Sequence, residues 1–154
     1  MLTRPEGKGL DSPGRPLAAS RTPLAESGLA LAGANNGPEG NLTAEQIVGL
    51  QLSGVELMVL SACDTGRGTE ITGQGVMGLR ASLEAAGVQT LLMSLWKVPD
   101  ESTAVLMQHF YRELWEESRA PAEALRMAQA AVRANPRFAA PVHWAGWVLT
   151  GRAW

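Results

Sequence analysis

The sequence predicts an α/β domain. Three observations predict it: two short apolar runs with strand character, a helical repeat of apolar residues between them, and two amphipathic helices before a β-rich end. Val55-Glu-Leu-Met-Val-Leu60, bounded by Gly54 and a polar loop, reads as a mostly buried strand. From Gln74 or Gly75 onward, Val76, Leu79, Leu83 and Ala86 recur at helical spacing, and Gly87 supplies the stop. Val88-Gln-Thr-Leu-Leu-Met-Ser-Leu-Trp96 is the second strand. Strands joined by a helix of this length form a βαβ unit, so the two should run parallel, adjacent or nearly so.

The flanking elements follow from local signals. Residues 1–40 hold seven of the 17 glycines and five of the nine prolines, a composition that favours turns and extended chain. They are expected to form an irregular N-terminal segment, with the folded part spanning 41–154. Thr43-Ala-Glu-Gln46 fits a capping box opening a short helix with Ile47, Val48 and Leu50 on its apolar side. A helix over 101–115 carries Leu106, Phe110 and Leu114 at intervals of four. Pro121 suits the first turn of another helix running to Asn135, where Pro136 forbids continuation. His143-Trp-Ala-Gly-Trp-Val-Leu-Thr-Gly151 is rich in β-formers and reads as a closing strand.

Composition excludes several classes of function. The 154 residues are 45% apolar and 18% charged, enough for one globular core. A net charge of −2 with scattered Lys and Arg argues against nucleic acid as the main partner, which needs a concentrated positive face. No apolar stretch has membrane-spanning length, and the N-terminus lacks a secretory apolar stretch. The single cysteine cannot form an internal disulfide and fits a reducing compartment, so a cytoplasmic location is expected. With no Cys/His cluster at ligand spacing, neither metal nor cofactor is expected.

Cys63 is the first candidate for chemistry. It lies three residues beyond Leu60, where an open parallel sheet gathers its functional groups, and a helix N-terminus follows that could lower the thiol's pKa. The plainer alternative is a buried small hydrophobe. A nucleophilic cysteine needs a base, normally histidine. His109 lies mid-helix and His143 opens the closing strand, and neither reads as that base. Asp64 and Asp100 stand at the ends of the two parallel strands, where a carboxylate could pair with a basic substrate side chain. The alternatives are a solvated Asp64 and, for Asp100, a helix N-cap. Trp96, at the second strand end, could wall the same crevice or pack in the core. Gly73-Gln-Gly75-Val-Met-Gly78 is a bare G-x-G-x-x-G, separated from its strand and lacking a ribose-binding acid. Its glycines suit a tight loop whose amides face an oxyanion better than a nucleotide site.

Leu60-Ser-Ala-Cys-Asp-Thr-Gly66, Gly73-Gln-Gly-Val-Met-Gly-Leu79, Ala85-Ala-Gly87, Ser94-Leu-Trp-Lys-Val-Pro-Asp100, Phe110-Tyr111, Ala124-Leu-Arg-Met-Ala-Gln129 and Trp144-Ala-Gly-Trp-Val-Leu-Thr-Gly151 follow in order. With Ser27-Gly-Leu-Ala-Leu-Ala-Gly-Ala-Asn35 and Leu42-Thr-Ala-Glu-Gln46, this series closely resembles the C-terminal half of the CHAT domain, a caspase-like domain often found beside tetratricopeptide repeats. The resemblance implies a caspase-like three-layer α/β fold with a mostly parallel sheet. It also implies a Cys/His dyad of cysteine-peptidase type, with Cys63 matching the nucleophile and Asp64, Trp96 and Asp100 around a substrate crevice. A protein or peptide substrate, and a tetratricopeptide-repeat region or partner, are the partners implied. The family's histidine, followed by glycine, corresponds to the stretch 1–28, which contains none. The family's earlier strands are absent too. The chain is therefore expected to start inside a longer reading frame or to be a degenerate copy, inactive as it stands. The rival expectations are a non-catalytic interaction module and, more remotely, a nucleotide-binding fragment.

Overall fold

The computed structural model describes residues 27–35, 40–61 and 74–152, the first three of α2 by their backbone only. Within these, a hairpin of β1 (Gly28–Ala30) and β2 (Asn41–Thr43) runs straight into α1 (Ala44–Val48). Then come β3 (Leu57–Leu60), α2 (Gln74–Ala85), β4 (Thr90–Ser94), α3 (Asp100–Tyr111), α4 (Pro121–Ala134) and β5 (Trp147–Gly151).

The main sheet has the order β3-β4-β5. The βαβ expectation holds: β3 and β4 are parallel neighbours, with Leu57 opposite Thr90 and Leu60 opposite Met93. β5 joins the other side of β4 antiparallel, Ser94 opposite Trp147, so the sheet is mixed. Alternation along the strands sends side chains to two separate cores. Met58, Leu60, Leu91, Met93 and Val148 pack with Ile47 of α1 and Leu79 and Leu83 of α2. Leu57, Val59, Leu92, Trp147 and Leu149 face Leu106 and Phe110 of α3 and Leu125, Ala128 and Val132 of α4. Helices thus cover both faces of the sheet in three layers. All five residues of β4 are buried, as befits a central strand covered on both sides.

Local signals in the sequence are reproduced. Thr43 Oγ1 accepts from Gln46 N, and Gln46 Oε1 accepts from Thr43 N at 2.9 Å, completing the capping box. Pro121 opens α4, where its missing N–H costs nothing. Gly87 ends the α2 turn at φ +106°, and a Cβ there would stand 2.8 Å from the Ser53 backbone.

Three expectations change. Part of the stretch read as irregular, Gly28–Ala30, is a strand paired with Asn41–Thr43. The closing strand is shorter than expected: Pro141–His143 is a 3-10 turn, and pairing with β4 begins at Trp147. Pro141 favours the turn, and the strand starts only where β4 offers partners. The helix read over 101–115 begins at Asp100 and ends in a π-helical turn, Arg112–Glu116. The wider turn keeps Leu114 buried while Glu113 (7% exposed) is forked between Arg112 and Arg119 at 3.2 and 2.8 Å.

Those hydrogen bonds, Arg112's foremost and then Arg119's, hold the Glu113 carboxyl below its ordinary pKa against the opposing effect of desolvation. A folded pKa below the unfolded one contributes stability that is fully present above the unfolded value. It is lost as pH falls through the folded value. Urea midpoints measured from neutral pH into acid should therefore fall less steeply for Glu113→Gln than for the native chain, the two curves converging in acid.

Beyond the π turn, Ser118 sits at φ +53°, a left-handed conformation that L side chains resist. Glycine there is expected to stabilise the fold by about 0.5–1 kcal/mol, read as a raised urea midpoint with unchanged slope.

Candidate active-site edge

Parallel pairing brings the carboxyl ends of β3 and β4 to one edge of the sheet. The chain leaves β3 through Leu60 and Ser61. Cys63, Asp64 and the glycine-rich sequence up to Gly73 lie outside the described residues. What the structure describes is the neighbouring exit, after β4, and the segment that supports it.

Trp96 leaves that strand 38% exposed, between wall and core in character. Its Nε1 donates to the Val142 carbonyl at 3.1 Å. Its ring lies so close over Gly146 that a Cβ there would come within 2.7 Å of Cε2, so only glycine admits it. Leu95 N donates to the Gly146 carbonyl at 2.8 Å, tying backbone to backbone beside the ring. Val98, 7% exposed, then pulls the chain back into the core. Asp100 follows as the exposed first residue of α3. The N-cap is Pro99, with no side-chain cap bond, so the N-cap alternative for Asp100 is not what forms. Asp100 and Glu101 instead place negative charge in the first turn, where the helix dipole favours it.

The turn that holds Trp96 is fastened from two helices. Ser102, fully buried in α3, donates its hydroxyl hydrogen to the Pro99 carbonyl at 2.9 Å and lies 3.0 Å from His143 Nδ1. One hydroxyl hydrogen cannot serve both, so full satisfaction requires His143 Nδ1 to donate to Ser102 Oγ. That tautomer leaves Nε2 without a partner among the described residues. From α4, Gln129 Nε2 donates to the carbonyls of Trp144 and Trp147 at 3.2 and 2.9 Å. Gln129→Leu is expected to destabilise by about 1–3 kcal/mol by leaving both carbonyls unsatisfied, measured by urea unfolding.

Trp96 and Asp100 follow β4 in the structure; Ser102, Val142 and Gly146, which support that segment, were not singled out in the sequence, and His143 was weighed only as a base. His143 was expected to open a strand; it ends the 3-10 turn instead. The available signal was Pro141 followed by Gly146, which marks a turn. His109 is different. It sits in the last turn of α3, about 13 Å along the helix from its start, with Nδ1 3.1 Å from Arg112 Nη2. A recess of about 460 Å³ lined by Ser53, Glu84, Gly87, Val88, Gln89, Gly151 and Arg152 opens at the amino end of β4, the opposite edge. No three His, Cys, Asp or Glu side chains cluster at metal-binding distance among the described residues.

A family model described as CHAT domain matches residues 17–152. The chain belongs to the CHAT domain family. Tetratricopeptide repeat protein 28 from Homo sapiens is 36% identical over 110 residues, 71% of this chain and 4% of that protein. The Mus musculus protein of the same name matches with the same identity and coverage. The chain therefore spans a small part of the length of these curated relatives. No solved structure matches it. None of the helices described in this CHAT domain is long and apolar enough to cross a membrane.

Proposed function

We propose that this chain is the C-terminal part of a CHAT domain related to caspase-like cysteine peptidases, with Cys63 as the nucleophile of peptide-bond hydrolysis in the intact domain. The observation that supports the reading is the parallel pairing of β3 and β4, which brings the exit toward Cys63 and the exit toward Trp96 to one sheet edge, with Asp100 opening the helix that follows. There the Trp96 ring would wall the substrate crevice. Asp64 and Asp100 would supply carboxylates for a basic substrate side chain. The substrate would be a protein or peptide in a reducing, cytoplasmic setting, and a tetratricopeptide-repeat region the natural neighbour. The stretch 1–40, with strand β1 within it, would precede the catalytic part at 41–154.

As 154 residues, the chain is expected to be inactive. No histidine precedes Cys63 in the sequence, and general-base assistance is typically worth about 10²–10⁴-fold. The same fact supports a second reading, a non-catalytic module that binds a protein and cleaves nothing. His109 and His143 both have Nδ1 committed, to Arg112 and to Ser102.

Two measurements test this. A small alkylating reagent should add one mass increment to the native chain, at its single cysteine. Modification only after denaturation would make Cys63 a core residue and remove the nucleophile. A panel of peptide substrates should show no turnover that depends on Cys63. Turnover that disappears in Cys63→Ala would contradict the inactivity and make His143 the base to test next.

A further inference from the structure

The far end of α3 carries an aromatic surface that the active-site edge does not use. Trp115 is 70% exposed, the most exposed of the large apolar side chains described. It is nevertheless held in place: its ring stacks on Tyr111 at 4.6 Å with planes 13° apart. Tyr111 is itself braced edge-on by buried Phe110 at 5.4 Å. The π-helical turn Arg112–Glu116 carries Trp115, and single π turns often mark functional sites. A fixed aromatic face loses little conformational freedom when something settles on it.

The surrounding charge says what that should be. The chain covers other aromatic rings with its own arginines: Arg133 lies 5.8 Å from the Trp144 centroid and Arg137 5.3 Å from that of Phe138. No arginine among the described residues covers Trp115. The nearby guanidinium groups are already engaged, Arg112 with Glu113, Arg119 with Glu113 and Glu123, and Arg126 with Glu123. Glu116 and Glu117, which directly follow Trp115, are exposed; neither forms a close ion pair among the described residues, and Glu117 acts on Arg119 only through space. An uncovered indole beside two exposed carboxylates with no close ion pair is complementary to a guanidinium, which combines cation–π attraction with charge-assisted hydrogen bonding.

We infer that the Tyr111–Trp115 face with Glu116 and Glu117 is a docking surface for an arginine-bearing segment of a partner protein. It lies about 22 Å along the helix from Asp100, so an occupant leaves the carboxyl edge of the sheet open. The surface works whether or not the domain cleaves peptides.

The test titrates the full 154-residue chain into a fluorescently labelled eight-residue peptide of alternating arginine and serine, followed by anisotropy. Binding that weakens as salt rises is expected. Trp115→Ala should weaken it at least fivefold, Trp115→Tyr should retain most of it, and Glu116→Gln with Glu117→Gln should weaken it and flatten the salt dependence. Binding lost in Trp96→Ala but kept in Trp115→Ala would place the peptide in the proposed crevice instead and overturn the inference. Circular dichroism of Trp115→Ala checks that the fold persists; should it not, the double glutamine variant decides. Absence of binding, equal binding of a glutamate–serine peptide, or undiminished binding by the Trp115→Ala and double glutamine variants would overturn the inference. So would self-association of the chain that Trp115→Ala abolishes.

Discussion

Phe110→Ala is expected to lower the free energy of unfolding by about 3–5 kcal/mol, the usual cost of truncating a buried aromatic. Phe110 is fully buried on the inner face of α3, in the core formed with Leu92, Leu106, Ala128, Val132 and Trp147. That core joins the sheet to both C-terminal helices, so truncation there leaves a cavity between packed elements. Phe110 also braces Tyr111. The same variant should therefore loosen the Tyr111–Trp115 stack, visible as altered tryptophan emission before unfolding begins. Urea unfolding checks the main claim; a loss below about 1 kcal/mol would mean the core is far less consolidated than its burial indicates.

Gly87→Ala is expected to cost about 2–5 kcal/mol. A positive-φ conformation costs an L residue about 1–2 kcal/mol, and overpacking against fixed backbone adds about 1–3 kcal/mol. Both conditions apply at Gly87, with φ +106° and a Cβ position 2.8 Å from Ser53 N and Cα. Neither side can yield easily. Leu52 N donates to the Ala86 carbonyl and Gln89 N to the Val55 carbonyl, fastening the two turns on either side of the contact. Gly54→Ala is the control: nothing lies within 4 Å of its Cβ position, and the loss there should be small. Equal losses at the two positions would show that the close approach to Ser53 is not what matters.

The elements legible beforehand are those whose cause is local. Thr43 with Gln46, Pro121, and the leucine spacing of α3 each act within one or two turns of chain. The parallel β3–β4 pair was also legible, because chain length and handedness leave a βαβ unit few alternatives. Elements that depend on a remote partner were not. Gly28–Ala30 has no strand signal of its own and extends because Asn41–Thr43 offers a ladder. The wide turn at Arg112–Glu116 depends on Arg119, beyond the helix end, reaching back to Glu113.

The candidate edge divides in the same way. The order of motifs in the sequence was enough to assign the family, the strand that leads into Cys63, and the positions of Trp96 and Asp100 after the next strand. It could not say that Trp96 would lie on Gly146 and donate to Val142, nor that Ser102 and His143 would fasten the supporting turn. Those contacts join residues about forty to fifty positions apart. They exist because β5 returns antiparallel beside β4 and carries the preceding turn to the edge where β4 ends. Residue type and spacing set which local structures can form; only the closing of the sheet decides which distant backbone groups come within hydrogen-bonding distance.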